Sequence, residues 1–192
     1  MNTTLSENDL IAAAANGDSD AFGELVRAYE KKIYSFALGM LSNPDDAFDA
    51  SQDTFMKAYR SIKYFEGKSS FYTWLYTICR NCCYDFLKLQ NRNRRHNISL
   101  YEYESDEEGT VIELPDTDNQ PEKLYEQKRV REIIFDAIDK LPQNHREIIL
   151  LRDVNELSYE EIATAMCISE GTVKSRLSRA RSRLQALLKD KL

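Results

Sequence analysis

The side chains of this 192-residue chain best suited to bind a charged partner gather near its C-terminal end. Thr172, Lys174, Ser175, Arg176, Ser178, Arg179 and Arg183 are donors of the kinds that bond phosphate oxygens and base edges. Between them Val173, Leu177, Ala180 and Leu184 recur at three- to four-residue spacing, the period of one helix face. A helix divided in this way buries its apolar stripe and offers its donors to a major groove. On that wheel Lys174, Ser175, Ser178 and Arg179 point outward near the helix start and are expected to meet base edges. Arg176, Arg181 and Arg183 lie toward the flanks and are expected to hold phosphates. A basic run is often a merely solvated helix face, and only its context argues for more. Here Ser158 and Glu161 form a capping box ahead of Ile162, Ala163 and Met166, so a short helix precedes the basic one. Ser169 then caps the second helix, which makes the pair a helix-turn-helix. Cys167 stands at the turn, where glycine commonly supplies a positive φ, and modest strain is expected there.

Other chemistry finds little support. Cys79-x-x-Cys82 with His96 suggests zinc ligands, but a second pair is missing and the only other histidine is the distant His145. Cys79, Cys82 and Cys83 read better as small buried helix residues, and no metal or other cofactor is expected. There is no nucleophile–base set and no phosphate-cradling glycine loop, so the expectation is a protein without catalytic residues or a small-molecule substrate. Four cysteines without a signal peptide fit a reduced, cytoplasmic setting. The longest aliphatic run, Ile148 to Leu151, is far short of a membrane span, so neither export nor insertion is expected. The net charge of −6 excludes a uniformly basic nucleic-acid binder. Charge is segregated instead: Ser169 to Leu192 carries seven Lys/Arg against two Asp/Glu.

A second candidate surface lies upstream. Ten of the twenty aromatic residues fall between Phe55 and Phe86, interleaved with Lys57, Arg60, Lys63, Lys68 and Arg80. Aromatic faces beside cations suit stacking on unpaired bases, although about two thirds of these rings are expected in the core. Phe71, Leu75, Ile78, Cys82, Phe86 and Leu89 make the expected core stripe, with Trp74 beside it. The exposed candidates are the Phe65–Ser70 loop, including Lys68, Ser69 and Ser70, together with Tyr72, Tyr76, Arg80 and Asn81.

The elements that position these groups are helical throughout. Leu5, Leu10, Ile11, Ala14 and Ala15 predict one helix, and Phe22 through Leu41 a second, separated by Asn16-Gly17-Asp18. Asn43, Pro44 and Asp45-Asp46 signal the start of a third, reaching about Lys63. Its stripe Phe48, Phe55, Tyr59 and Ile62 is expected to face the core, leaving Asp49, Gln52, Asp53 and Met56 outside. After the basic cluster 91–95, Tyr101 to Glu126 holds ten acidic residues against one Lys123, a composition that cannot bury enough apolar area to fold alone. Periodicity resumes from Tyr125 to Leu141, and Asn144 to Val154 supplies the scaffold for the helix-turn-helix. The expected architecture is all-α: two small helical domains, 1–95 and 125–192, joined by a flexible acidic linker, 96–124.

Three segments resemble a known family. EEIATAM followed by ISEGTVKSRLSRAR resembles region 4 of the extracytoplasmic-function (ECF) group of bacterial sigma factors. DDAFDASQDTFMKAY is similar to sigma region 2.2, and FEGKSSFYTWLYTICRN to regions 2.3 and 2.4. The match covers about residues 18–188, in two blocks in the family's order. The resemblance implies a transcription initiation factor with core RNA polymerase, through its β′ and β subunits, and promoter DNA as partners. It assigns polymerase docking to Asp46, Asp49, Gln52, Asp53 and Phe55, with Phe48 standing where an acidic residue is common. It assigns opening of the minus-10 element to the Phe65–Asn81 set and reading of the minus-35 element to the basic helix. It also implies control by an anti-sigma factor, commonly membrane-anchored in this group. A free-standing dimeric helix-turn-helix regulator is the first rival reading, and it leaves the Trp74 region unexplained. The second is a protein-interaction or RNA-binding module, which predicts binding without promoter dependence.

Overall fold

The computed structural model describes residues 5–97 and 121–189, and among these every regular element is a helix. The N-terminal half contains α1 (Glu7–Ala15), α2 (Ser19–Leu41), α3 (Pro44–Ser61), a 3₁₀ turn (Ile62–Tyr64) and α4 (Phe71–Asn97). Each helix of the first three begins where a side chain satisfies orphan N–H groups. Ser6 and Asp9 close a capping box, Asp18 accepts from the N–H groups of Asp20 and Ala21, and Asn43 accepts from Asp46 N–H at 3.0 Å with Pro44 in the first position. Such caps contribute about 1 kcal/mol each. Ser42, at φ +57°, ends α2 in the left-handed conformation and turns the chain into α3.

The buried face of α3 departs from the sequence expectation. Ala47, Ala50, Ser51, Thr54, Ala58 and the following Ile62 face the core, whereas Phe48 is 57% exposed, Tyr59 is exposed and Phe55 half-buried. α3 lies against both α2 and α4, and small side chains let the three backbones approach closely. Ser51 and Thr54 satisfy their hydroxyls on the carbonyls one turn back, at 2.7 and 2.6 Å. The core face of α4 is also rotated from expectation. Phe71, Thr73, Leu75, Tyr76, Cys79, Cys82 and Cys83 are buried, while Leu89 is exposed beyond the bundle's end. The cysteines are free thiols, as expected of small core residues, and Lys57 Nζ reaches Cys82 Sγ at 3.4 Å.

The C-terminal half contains α5 (Pro121–Asp139), α6 (Gln143–Ile149), a π-helical turn (Leu150–Val154), α7 (Tyr159–Met166) and α8 (Glu170–Leu188). Ile148, Ile149, Leu150 and Leu151 form the floor on which Ile162, Met166, Val173, Leu177 and Ala180 pack. The capping box of Ser158 and Glu161 is formed, Ser169 caps α8, and Cys167 adopts φ +54° at the turn between them. An L residue in that region costs about 1–2 kcal/mol, the strain expected of the missing glycine.

The two halves touch. α2 meets α5, α6 and the π-helical turn, and α4 meets α7. At Gly39 a Cβ would lie 2.5 Å from Leu150 Cδ2, so only glycine permits this approach of α2 to the π-helical turn. Arg146 Nη1 donates to Met40 O at 3.2 Å, and Ser42 Oγ to Asp139. Residues 96–97 end α4 and 121–124 begin α5, so the expected linker is shorter at both ends; its centre, 98–120, lies outside the described residues. No described helix is long and apolar enough to cross a membrane.

Candidate polymerase and DNA interfaces

On α8, burial of Val173, Leu177 and Ala180 rotates Lys174, Ser175, Ser178, Arg179 and Arg183 to solvent, with Arg176 and Thr172 half-buried at the edges. Thr172 supports the helix start, its N–H donating to Ser169 Oγ at 3.2 Å. Lys174 Nζ lies 5.9 Å from the Tyr159 ring centroid and Arg152 lies 5.2 Å from the same ring, so α7 contributes an aromatic surface that these cations share. Arg181 differs from the phosphate-holding role expected of it. Its guanidinium is paired with both carboxylate oxygens of Asp153, an interaction that ties α8 to the π-helical turn and raises its pKa. His145 joins the face without a sequence signal of its own. Burial, and then the charges of Arg183, Arg176 and Arg179, hold its imidazole below the ordinary histidine pKa.

On α4 the expected donors are brought together, but few of them are open. Ser70 Oγ accepts from Thr73 N–H at 3.1 Å and so caps α4, and Gly67 at φ +68° turns the loop before it. Lys68 and Ser69 stay on that loop, Lys68 exposed and paired with Glu66. The loop is anchored by Phe65, whose ring lies 5.7 Å from Phe71 and 5.2 Å from Trp74. Tyr76, expected at the surface, is 1% exposed, because α4 turns it into the bundle against Phe36 at 5.1 Å, edge-on. Its hydroxyl pairs with that of Tyr72 at 2.8 Å, so Tyr76 positions the half-buried Tyr72 ring. Lys32 sits 4.7 Å over that ring. Asn81 is exposed, whereas Arg80 is half-buried and its Nε donates to Glu147 of α6. Burial disfavours the Arg80 charge, yet Glu147 and Tyr84 together hold its pKa above the ordinary value.

On α3, Asp49, Gln52 and Asp53 are exposed as expected, while Asp46 is half-buried and accepts from Gln90 Nε2 at 2.6 Å. Phe55 does not stand among these carboxylates. It lines an apolar groove of about 510 Å³ between α2 and α3, with Phe22, Val26, Tyr34, Phe48 and Met56 around it. The aromatic stripe assigned to the core from its spacing is therefore part of a surface. Helical period places residues on one face but cannot say which of two apolar faces meets the interior.

Among the described residues no cluster of His, Cys, Asp and Glu is placed to hold a metal ion. Comparison with known proteins adds the family. Residues 25–93 match sigma-70 region 2, and residues 131–184 match sigma-70 region 4. The chain is 37% identical over 186 residues to the ECF RNA polymerase sigma-E factor of Haemophilus influenzae, covering 96% of each chain. It is 38% identical over 182 residues to that of Escherichia coli K12, covering 94% of this chain and 93% of the other. Among solved structures, the sigma factor RpoE bound to the anti-sigma factor NepR from Bartonella quintana superposes with TM-score 0.70 and 30% identity, over 89% of this chain and 98% of that one. CnrH in complex with the cytosolic domain of CnrY gives TM-score 0.66 and 26% identity, over 95% and 97%.

Proposed function

Since the chain belongs to the ECF group of sigma-70-type RNA polymerase sigma factors, we propose that it guides core polymerase to promoters through three separate helix faces. The observation that carries this reading is the pairing of an exposed acidic face on α3 with an exposed basic face on α8, in the two blocks that match the family. Asp49, Gln52 and Asp53, with the Phe55 groove beside them, dock on the β′ subunit's clamp helices. Asp46 borders this surface. The α4 set of Lys68, Ser69, Ser70, Tyr72, Arg80 and Asn81 opens and holds the minus-10 strand, with Tyr76 supporting Tyr72 from the core. The α8 set reads the minus-35 element: Lys174, Ser175, Ser178 and Arg179 at base edges, Arg176 and Arg183 on phosphates, and Thr172 at the helix start. Residues 1–95 and 125–192 act as the two domains, and the acidic segment between them passes through the polymerase, where it meets β. The solved relative RpoE is bound to the anti-sigma factor NepR, and CnrH to the cytosolic domain of CnrY, which supports restraint of this chain by an anti-sigma factor in the cytoplasm.

The test is transcription by purified chain plus core polymerase from a promoter that core alone ignores. Asp53→Lys is expected to lower holoenzyme formation roughly a hundredfold or more, since a reversed charge at an interface costs several kcal/mol. Its circular dichroism is expected to be unchanged, because Asp53 is exposed. Normal co-purification of the variant with core rejects the α3 assignment.

A further inference from the structure

The half-buried Tyr72 ring of α4 is completed from a different helix. α2 lies against α4, and two of its residues one turn apart, Tyr29 and Lys32, both reach that ring. The Tyr29 ring stands 5.4 Å from it with the planes tilted by 30°. Tyr29 is held in turn by Phe71 at 5.7 Å and by the hydrogen bond its hydroxyl donates to Glu7 of α1. Tyr76 meets the Tyr72 ring edge-on at 4.5 Å from the core, and the two hydroxyls pair at 2.8 Å. Both tyrosine neighbours are thus packed in place. Lys32 differs from them, being exposed on a flexible four-carbon stem, with its Nζ 4.7 Å from the Tyr72 ring centroid. Among the described residues no carboxylate forms an ion pair with Lys32. A cation and a nucleobase compete for the same π face, the first through the ring quadrupole and the second by stacking. A phosphate oxygen, which carries formal charge and accepts a charge-assisted hydrogen bond, is the better partner for an ammonium than the ring is. An arriving nucleotide brings both competitors at once, a base for the ring and a phosphate for the lysine.

Resting on the assignment of α4 to the minus-10 strand, we propose that Lys32 is a further strand-holding residue, which exchanges the Tyr72 ring for a backbone phosphate when an unpaired base stacks on that ring. Tyr29 is a positioning residue, keeping the Tyr72 ring in place while its partner changes. The strand site therefore spans α2 and α4, two helices separated in the chain by all of α3.

The experiment measures binding of holoenzyme, formed from the full chain and core polymerase, to the single non-template strand of a promoter that it transcribes, across a salt series. Loss of one single-strand phosphate contact lowers the slope of log affinity against log salt by about 0.7. Lys32→Gln is therefore expected to weaken binding roughly eightfold at ~50 mM salt and less than about twofold at ~0.5 M. Lys32→Arg is expected to keep both affinity and slope. Lys88→Gln removes the same charge from an exposed position about 24 Å along α4 from Tyr72, beyond the screening length, and is expected to change neither. 2-Aminopurine placed at successive strand positions reports stacking. One position is expected to be quenched in the parent, released by Tyr72→Ala, and still quenched at saturation in Lys32→Gln. An unchanged slope in Lys32→Gln, an equal loss in Lys32→Arg or Lys88→Gln, or release of the quenched base by Lys32→Gln overturns the proposal. Strand affinity and 2-aminopurine signals unmoved by both Tyr72→Ala and Arg80→Ala reject the α4 assignment itself, whatever Lys32→Gln does.

Discussion

On α8 the donors Lys174, Ser175, Ser178, Arg179 and Arg183 face solvent, whereas on α4 Arg80 and Ser70 are already bonded to carboxylates from the opposite half of the chain. Both sets have the chemistry to hold nucleic acid. Only the first is free to do so in this arrangement. The α8 face is open because its neighbours α6 and α7 pack on its apolar side, and Arg181 is drawn into an ion pair with Asp153 of the scaffold. The α4 face is partly closed because Ser70, Thr73 and Arg80 lie where α7 and α6 present Glu161 and Glu147, while Asn81 stays exposed. The difference teaches that residue type marks a potential contact, while access to it depends on what other part of the same chain competes for the donor.

Three measurements sharpen this contrast beyond the polymerase test. The largest effect is expected on the open face. Arg179→Ala is expected to cost about 1–3 kcal/mol on the preferred minus-35 element and to relax choice at one or two base pairs. Arg183→Ala is expected to weaken all sequences about equally and to reduce the salt slope by roughly one. Binding across a library of minus-35 sequences decides between them, and the reverse pattern exchanges the two roles. A smaller loss is expected on the closed face. Tyr72→Ala removes a ring that is already half-buried under Lys32, and is expected to cost about 1 kcal/mol of strand stacking in the holoenzyme. Closed-complex affinity is expected to stay the same while permanganate-detected melting falls. Loss of both together places Tyr72 in the fold instead.

The smallest effect concerns His145. Its pKa is lowered in the free chain, first by burial and then by Arg183, Arg176 and Arg179. DNA phosphates that neutralise those arginines raise it, so binding takes up a proton, and affinity is expected to rise modestly as pH falls toward the ordinary histidine range. Folding has the opposite sign. A histidine whose folded pKa is depressed contributes stability that is fully present above its unfolded value and is lost as pH falls from there through the folded value. His145→Asn is expected to flatten the pH dependence of duplex binding, and a slope unchanged in that variant removes His145 from the face.

Much of this was legible in residue order. Ser158 with Glu161, Asn43 with Pro44, and Ser169 each mark a helix start because a cap acts within four residues, and the structure forms all three. The apolar stripe of α8 was legible for the same local reason: Val173, Leu177 and Ala180 had no competing apolar face on their helix. On α3 there were two such faces. Spacing favoured the large rings of Phe48, Phe55 and Tyr59, and the core took Ala47, Ala50, Thr54 and Ala58, because close packing against two neighbours selects by fit and not by hydrophobicity alone. Tyr76 failed as a surface residue for a related reason, since the phase of α4 was set by three-sided contact with the bundle.

The sequence by itself determined the helices, their caps, the helix-turn-helix and which side chains have donor chemistry suited to nucleic acid, because each depends on residue type and on neighbours a turn or two away. The tertiary structure alone decided which of those residues are accessible. Arg80 and Glu147 stand 67 residues apart, and Ser70 and Glu161 stand 91 apart, separations across which no local period or cap carries information. Their meeting depends on the approach of two packed halves, an approach close enough that a Cβ at Gly39 would meet the Leu150 side chain.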